Sequence, residues 1–480
     1  MTVHAKNFIA GEWVESKDYT KDLNPSNTKD VVGEYPRASA ADAERAIAAA
    51  KAAFPAWSRS SIQERHDILK RIGEEILARK DELGKLLSRE EGKTLIEGVG
   101  ETVRAGQIFL FFAGEALRLA GEKIPSTRPG VDVEITREPL GVVGMITPWN
   151  WPLNQIMCKV APALAAGCTM ILKPSEIAPL NALIFAEVMD AAGVPKGVFN
   201  LVNGDGPTVG QAMSRHPGID MISFTGSTRA GIQVAKAAAD TVKRVHQELG
   251  GKSANILLPD ADFKRAVKLG VESVMRNSGQ SCNAPTRMFV PFDKQAEVLA
   301  IAKATVEPLK VGAPSSADTF LGPVVSETQY NKVQRLIESG VSQGAELVTG
   351  GPGRPEGLNR GYYVRPTIFA GVTDDMEIAR EEIFGPVLSI LTYKTEDEVV
   401  ERANNTPYGL ASYVQSGSID KARKIAAKMR SGNVYINHPP SDPGAPFGGY
   451  KQSGNGREYA DFGLDEFLEI KGTVGYAPAS

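Results

Sequence analysis

At about 150 residues per domain, a chain of 480 residues predicts two or three domains rather than one core. Its 42% hydrophobic and 23% charged residues are those of a globular protein, and 48 Gly with 30 Pro predict many short turns between alternating β and α segments. A net charge of -3, spread without a basic block or an acidic tail, argues against nucleic acid or an anionic membrane as partner.

The first residues, 1–14, place Lys6, Asn7, Gly11 and Glu12 among apolar neighbours, too polar a mixture for a signal peptide, and no window approaches a membrane span. Ser39 followed by Asp42 predicts an N-cap for a helix over 40–54, ended by Pro55. Apolar residues at three- and four-residue intervals predict helices over 62–87 and 102–119. Val131, Val133 and Ile135 then alternate with Asp132, Glu134 and Thr136, the period of a strand with one wet face. An exposed arm of that kind often pairs with another subunit.

From Gly141 the apolar runs 142–146, 170–172, 199–202 and 221–224 lack polar alternation and read as strands buried on both faces. Between them 155–166, 180–192, 208–215 and 230–239 read as crossover helices. The predicted fold class is α/β, a doubly wound parallel sheet that binds ligands at the carboxyl ends of its strands. A second mixed region follows Gly251, and 467–476 reads as a strand.

Three widely spaced cysteines, Cys158, Cys168 and Cys282, predict reduced thiols in a cytoplasm rather than a disulfide framework. None of the five histidines pairs with Cys or His at ligand spacing, so no metal site is expected.

Five segments carry candidate chemistry, each with two readings. Phe224-Thr225-Gly226-Ser227 runs from a buried strand into a helix start, either a tight turn or a phosphate cradle. Lys173-Pro174-Ser175-Glu176 is either a solvated charged turn or a ribose clamp whose carboxylate repels the extra phosphate of NADP. Cys282 is either a small packing residue or a nucleophile; glycine and polar neighbours favour the second, whereas Cys158 and Cys168 flank an Ala-rich helix as packing residues. Glu248, where a strand meets Gly250 and Gly251, is either an exposed turn residue or a base with a raised pKa. Asn150 either caps the next helix or donates to an oxyanion.

The order of these segments, joined by Glu381-Glu382-Ile383-Phe384-Gly385-Pro386 and Pro446-Phe447-Gly448-Gly449-Tyr450-Lys451, resembles the aldehyde dehydrogenase superfamily from Gly11-Glu12-Trp13 to the tail. The resemblance implies a Rossmann-like cofactor domain (1–121 and 140–250), a second α/β catalytic domain (251–451) and a small β oligomerisation arm (122–139 and 466–480) in a homodimer or homotetramer. It implies Cys282 as nucleophile, Glu248 as general base, and Asn150 with the Cys282 backbone N–H as oxyanion hole. Lys159 and Glu458 would pass protons away from the base. For the cofactor, NAD with NADP less preferred, it implies Ile146, Thr147, Pro148, Trp149, Lys173, Ser175, Glu176, Gly206, Gly210, Phe224, Gly226, Ser227, Leu249, Gly250, Glu382 and Phe384. For the aldehyde it implies a tunnel of Trp151, Gln155, Cys158, Ser281, Asn283 and Phe447.

The chemistry suits these residue types: a thiolate adds to the carbonyl carbon, hydride leaves the tetrahedral adduct, and a base-activated water cleaves the thioester. Rival readings are a CoA-acylating semialdehyde dehydrogenase, whose relatives commonly lack the glutamate at 248, a non-catalytic member of the fold, and a thiol hydrolase. Trp151 and Phe447 suit an apolar or aromatic aldehyde, and Cys158 stands where succinate semialdehyde dehydrogenases carry an arginine.

Overall fold

The computed structural model describes residues 3–440 and 442–476, so the outermost expected limits, at 1 and 480, and Ser441 within the Pro-rich stretch 438–446 lie outside the described residues. Its centre is a seven-stranded sheet in the order Arg244–Glu248, Met221–Thr225, Val142–Ile146, Thr169–Lys173, Phe199–Leu201, Asn7–Ile9, Glu12–Val14. The first five strands are parallel, and all but the polar, partly exposed edge strand Arg244–Glu248 are wholly buried, as their largely apolar runs require. Chain order reverses between Val142–Ile146 and Met221–Thr225, the crevice where open α/β sheets take ligands.

Register aligns the strand ends there. Ile146 pairs with Lys173 and Phe224, and Thr225 pairs with Glu248, so four expected site segments leave one edge of the sheet together. Helix Pro152–Ala166, entered from that edge, is buried along all 15 residues, which its small Ala-rich surface permits.

After Glu248 the chain passes through Gly250 and Gly251 into a second seven-stranded sheet, ordered Glu346–Thr349, Thr367–Ala370, Val387–Tyr393, Arg287–Pro291, Ala254–Leu257, Ala411–Gln415, Asn433–Ile436. Six of its strands are parallel. Their amino ends, not their carboxyl ends, meet the first sheet's crevice, because the loop 277–284 and the turn 381–386 each precede a strand. A third sheet, Leu468–Tyr476, Val131–Pro139 and Glu122–Pro125, pairs the tail with the expected arm over nine residues.

Four expectations need correction. The amino-terminal third is not helical from its start: Val3–His4, Asn7–Ile9, Glu12–Val14, Tyr19–Leu23 and Val31–Pro36 are strands, too short for periodicity to reveal. Helix Ala40–Trp57 has the expected capping box at Ser39 and Asp42 but runs through Pro55, which in a last turn forfeits only one hydrogen bond. The segment 62–87 is two helices, Ile62–Ala78 and Lys80–Glu91, broken at Arg79 (φ -94°, ψ 14°); both pack on helix Leu95–Ala116, so one apolar period crosses the break. Residues 206–210 form a wide helical turn before the short helix Gln211–Arg215.

Candidate active site

Asn150 leaves the sheet edge after Ile146, but it does not cap helix Pro152–Ala166, whose N-cap position is Trp151 without a side-chain bond. The first-turn N–H of Asn154 donates instead to Glu101 Oε1 (3.1 Å), a carboxylate at a helix's positive end. That frees the Asn150 amide, which donates to the Gln280 carbonyl at 3.0 Å, two residues before Cys282.

Cys282 is half-buried in a loop where no helix begins, so a helix terminus does not activate its thiol. Burial, then Glu248, Glu382 and Glu458, push the thiol well above its usual range. Gly251 passes so close that a Cβ there would lie 2.4 Å from the Cys282 carbonyl oxygen, which explains a glycine at the crossing between sheets.

Glu248 is a buried carboxylate, not an exposed turn residue. Desolvation and then Glu458 raise its pKa well above the carboxylate range, while Lys159 and Arg457 oppose. Lys159 Nζ donates to Glu458 Oε1 at 2.6 Å inside the protein. Two buried carboxylates therefore feel the charge of one lysine, and each keeps an oxygen without a hydrogen-bond partner among the described residues. Such groups are poised for proton transfer. Cys158 lies inside helix Pro152–Ala166 rather than flanking it, and faces this same charged group.

A cavity of about 190 Å³ opens at the crevice. It brings together Pro148, Trp149, Asn150, Gln155, Gly226, Ser227, Leu249, Gly250, Cys282, Glu382 and Phe384 of the expected residues, and adds Thr225, Gln329 and Lys332, which sequence reasoning missed. Gln329 and Lys332 stand on helix Glu327–Ser342 with nothing local to mark them; they are anchored by donating to the carbonyls of Phe384 (2.7 Å) and Glu382 (2.7 Å). Glu382 accepts from the Gly251 N–H (2.9 Å), and a Cβ on Gly250 would lie 2.5 Å from its Oε2. Phe384, at φ 59°, meets Trp149 edge-on at 5.4 Å.

Other expected residues lie beside the cavity. Lys173 and Glu176 form an ion pair at 2.8 Å on the same sheet edge, and the Ser175 hydroxyl accepts from Ile177 N. Gly226 is explained by its neighbour, since a Cβ there would lie 2.6 Å from the Phe224 ring. Gly210 sits against Ile146, whereas Gly206 faces open space and shows no close approach. Ile146 and Thr147 lie buried at the strand end, and the Thr147 hydroxyl has no partner among the described residues.

Of the aldehyde residues, Trp151 Nε1 donates to Ser281 Oγ at 2.7 Å, and Phe447 stacks edge-on with Tyr459 at 6.2 Å. Phe447 and Glu458 exchange backbone hydrogen bonds of 2.8 and 2.7 Å, which joins the expected tunnel wall to the buried Lys159–Glu458 pair. Cys158 is 1% exposed, and it does not line the cavity. The Asn283 carbonyl accepts from Tyr413 OH at 3.1 Å. Tyr435 and His438 each pack at a tilt against the Tyr413 ring beside it, a cluster not foreseen from sequence. Among the described residues no group of His, Cys, Asp or Glu is arranged to hold a metal.

The arrangement joins a thiol, a carboxylate of raised pKa and an amide donor at a cleft with buried, unpaired hydroxyls, suited to covalent chemistry on a carbonyl beside a second bound molecule. Comparison with known proteins agrees. The sequence model described as "Aldehyde dehydrogenase family" matches residues 13–473. A 3-succinoylsemialdehyde-pyridine dehydrogenase of a Pseudomonas species is 49% identical, covering 98% of each chain. Aldehyde dehydrogenase C of Pseudomonas syringae, a cysteine-to-alanine mutant solved with NAD+ and octanal, superposes with a TM-score of 0.96 at 50% identity, covering 99% of this chain and 98% of its own. A betaine aldehyde dehydrogenase of Staphylococcus aureus with NAD+ gives 0.96 at 38% identity, covering 99% and 95%.

Proposed function

The chain belongs to the aldehyde dehydrogenase family, and on that footing we propose that it oxidises an aldehyde to the carboxylic acid with NAD through a covalent intermediate on Cys282. The observation that carries this is the convergence of Cys282 and Asn150 on one cleft, with the raised-pKa Glu248 behind it.

The residues around the cleft fit a dinucleotide. Thr225 presents a buried hydroxyl with no partner among the described residues, Gly226 and Gly250 bring main chain to the cleft wall, and the Lys332 ammonium, which gives one N–H to the Glu382 carbonyl, supplies positive charge. Lys173 and Glu176 are suited to an adenosine ribose at the neighbouring strand end, and the Glu176 carboxylate favours NAD over NADP.

The Cys282 thiol, its pKa raised by burial, passes its proton to solvent in the cleft as it attacks. The thiolate attacks the carbonyl carbon, and the oxygen that becomes negative is met by the Asn150 amide and the Cys282 backbone N–H. NAD, when bound, supplies the hydride acceptor that turns the tetrahedral adduct into a thioester. Glu248 then removes a proton from water, which attacks the thioester and releases Cys282. Lys159 and Glu458 carry that proton away from Glu248. The presence of Glu248 supports hydrolysis over transfer to coenzyme A.

The aromatic side chains beside Cys282, Tyr435 and the Trp151 ring that bonds Ser281, support an apolar or aromatic aldehyde, as does octanal in the Pseudomonas syringae relative. The exposed arm supports a homodimer or homotetramer, and three free cysteines suit a cytoplasm. Specificity constants for NAD and NADP against aliphatic, aromatic and carboxylated aldehydes test the proposal. NAD-dependent conversion to the acid without coenzyme A is expected, and coenzyme A dependence with a thioester product would overturn it.

A further inference from the structure

Lys93 is fully buried, an expensive place for an ammonium group. It precedes helix Leu95–Ala116, and its Nζ makes three directed contacts. It donates to Glu101 Oε2 (2.6 Å) and to the main-chain carbonyl of Asn150 (2.9 Å), and lies 3.9 Å from the centre of the Trp151 ring, with the buried Glu91 carboxyl 3.8 Å away as a second, longer ion-pair partner. An ion pair that merely joined helices would need only the first.

The Asn150 carbonyl also accepts from Asn277 Nδ2 at 2.8 Å, so both of its lone pairs are engaged and its peptide plane is held. Asn277 belongs to the Cys282 loop. Its own N–H donates to Glu97 Oε1 (2.7 Å), and with Ser278 it is held in the left-handed region (φ 49° and 54°), which non-glycine residues adopt only when their surroundings insist. Trp151, gripped on its face by Lys93, is tied at its edge to Ser281. The segment carrying the amide donor is thus fastened to Lys93, and the segment carrying the thiol is fastened to it in turn through the Asn150 carbonyl and Trp151, with Glu97 as a further anchor.

We propose that Lys93, paired with Glu101, is a positioning residue that fixes where the Asn150 amide stands relative to Cys282. This rests on the assignment of Asn150 and Cys282 to aldehyde oxidation. Lys93 touches no substrate; it acts by holding the Asn150 peptide, whose second amide N–H is left free to meet the developing oxyanion. Misplacement of a reacting group by about 1 Å typically costs on the order of 100-fold in rate.

Lys93→Met alone leaves Glu101 buried without its cation and invites misfolding. The decisive variant is therefore Lys93→Met with Glu101→Gln, which removes both charges and keeps an oxygen for the Asn154 N–H. Circular dichroism and NAD binding should match wild type, while kcat falls about 100-fold. Adding Asn150→Ala should produce little further loss, since two changes that act through one group are not additive. A folded double variant with kcat within about twofold of wild type, or losses that multiply in full with Asn150→Ala, overturns the proposal. Hydrogen exchange separates it from the functional reading. Faster exchange at residues 149–151 and 277–282 in the double variant is expected whether or not the protein oxidises aldehydes, and unchanged exchange there contradicts the clamp. Absence of aldehyde oxidation in the wild type would instead strike the proposed function.

Discussion

Glu248 lies close enough to the buried Lys159–Glu458 pair to feel both charges, with Glu458 raising its pKa and Lys159 and Arg457 opposing, and that sets how the enzyme should respond to pH. A base held protonated by burial becomes competent only as pH rises through its elevated pKa. Turnover should therefore climb with pH through a range well above ordinary carboxylates, the opposite of what an exposed glutamate would give. Glu248→Gln should release one burst of NADH per Cys282 and then stall, with steady turnover down about 100-fold or more, as measured by stopped-flow absorbance. Steady turnover near wild type in that variant would remove Glu248 from the mechanism.

The same residues show what a sequence reveals. Cys282, Glu248 and Asn150 were legible because each sits in a short motif and the motifs occur in a fixed order. Local reading could not choose between capping and oxyanion binding for Asn150, since the alternative cap, Glu101, lies 53 residues from Asn154. Gln329 and Lys332 reach the cleft from one helix face, and Lys93 reaches the Asn150 carbonyl behind it from a buried helix start; no nearby spacing distinguishes them from ordinary surface or core positions.

At the scale of elements, buried two-sided strands were the easiest to read, because parallel strands flanked by helices leave unbroken apolar runs. The amino-terminal strands escaped notice since they span two to six residues and half their register comes from distant partners. One of these, Tyr19–Leu23, brings Asp22 against Glu90 of helix Lys80–Glu91. Burial and the neighbouring carboxylate push Asp22 up to about 9, and burial pushes Glu90 up to about 8. Their unfolded values lie near 4. The folded state thus holds protons that the unfolded chain has released, so this contribution is full below about pH 4 and is lost as pH rises toward 9. Asp22→Asn should flatten the loss, so its stability gain over wild type should be several kcal/mol larger near pH 9 than at pH 5, growing by about 1.4 kcal/mol per pH unit between them. Parallel denaturant titrations at the two pH values check this. Equal differences at both would show that Asp22 ionises in the folded protein as it does in the unfolded chain.

At the scale of the whole molecule, the crevice exists because one sheet ends where another begins. The carboxyl ends of the first sheet and the amino ends of the second enclose the thiol, and a glycine at 251 lets the chain cross beside it. The third sheet takes no part in that cleft. Ile470, Val474 and Tyr476 project from one face of its outer strand, 75%, 67% and 88% exposed, beside Val131 and Val133. An apolar strand face and edge left open this way is a pairing surface. Deleting residues 468–480 should convert the proposed homodimer or homotetramer to smaller species in sedimentation while leaving each cleft's residues in place. An unchanged sedimentation coefficient would exclude the arm as the assembly element.

The most direct test of the account is the mass of the protein after mixing with an aldehyde and NAD and rapid acid quenching, with Glu248→Gln used to slow release. The account predicts an adduct two hydrogens lighter than the added aldehyde, located on Cys282 by peptide fragmentation and missing in Cys282→Ala, which should also lose NADH formation. An unmodified Cys282 throughout turnover, together with a Cys282→Ala enzyme that oxidises aldehyde at the wild-type rate, would contradict it.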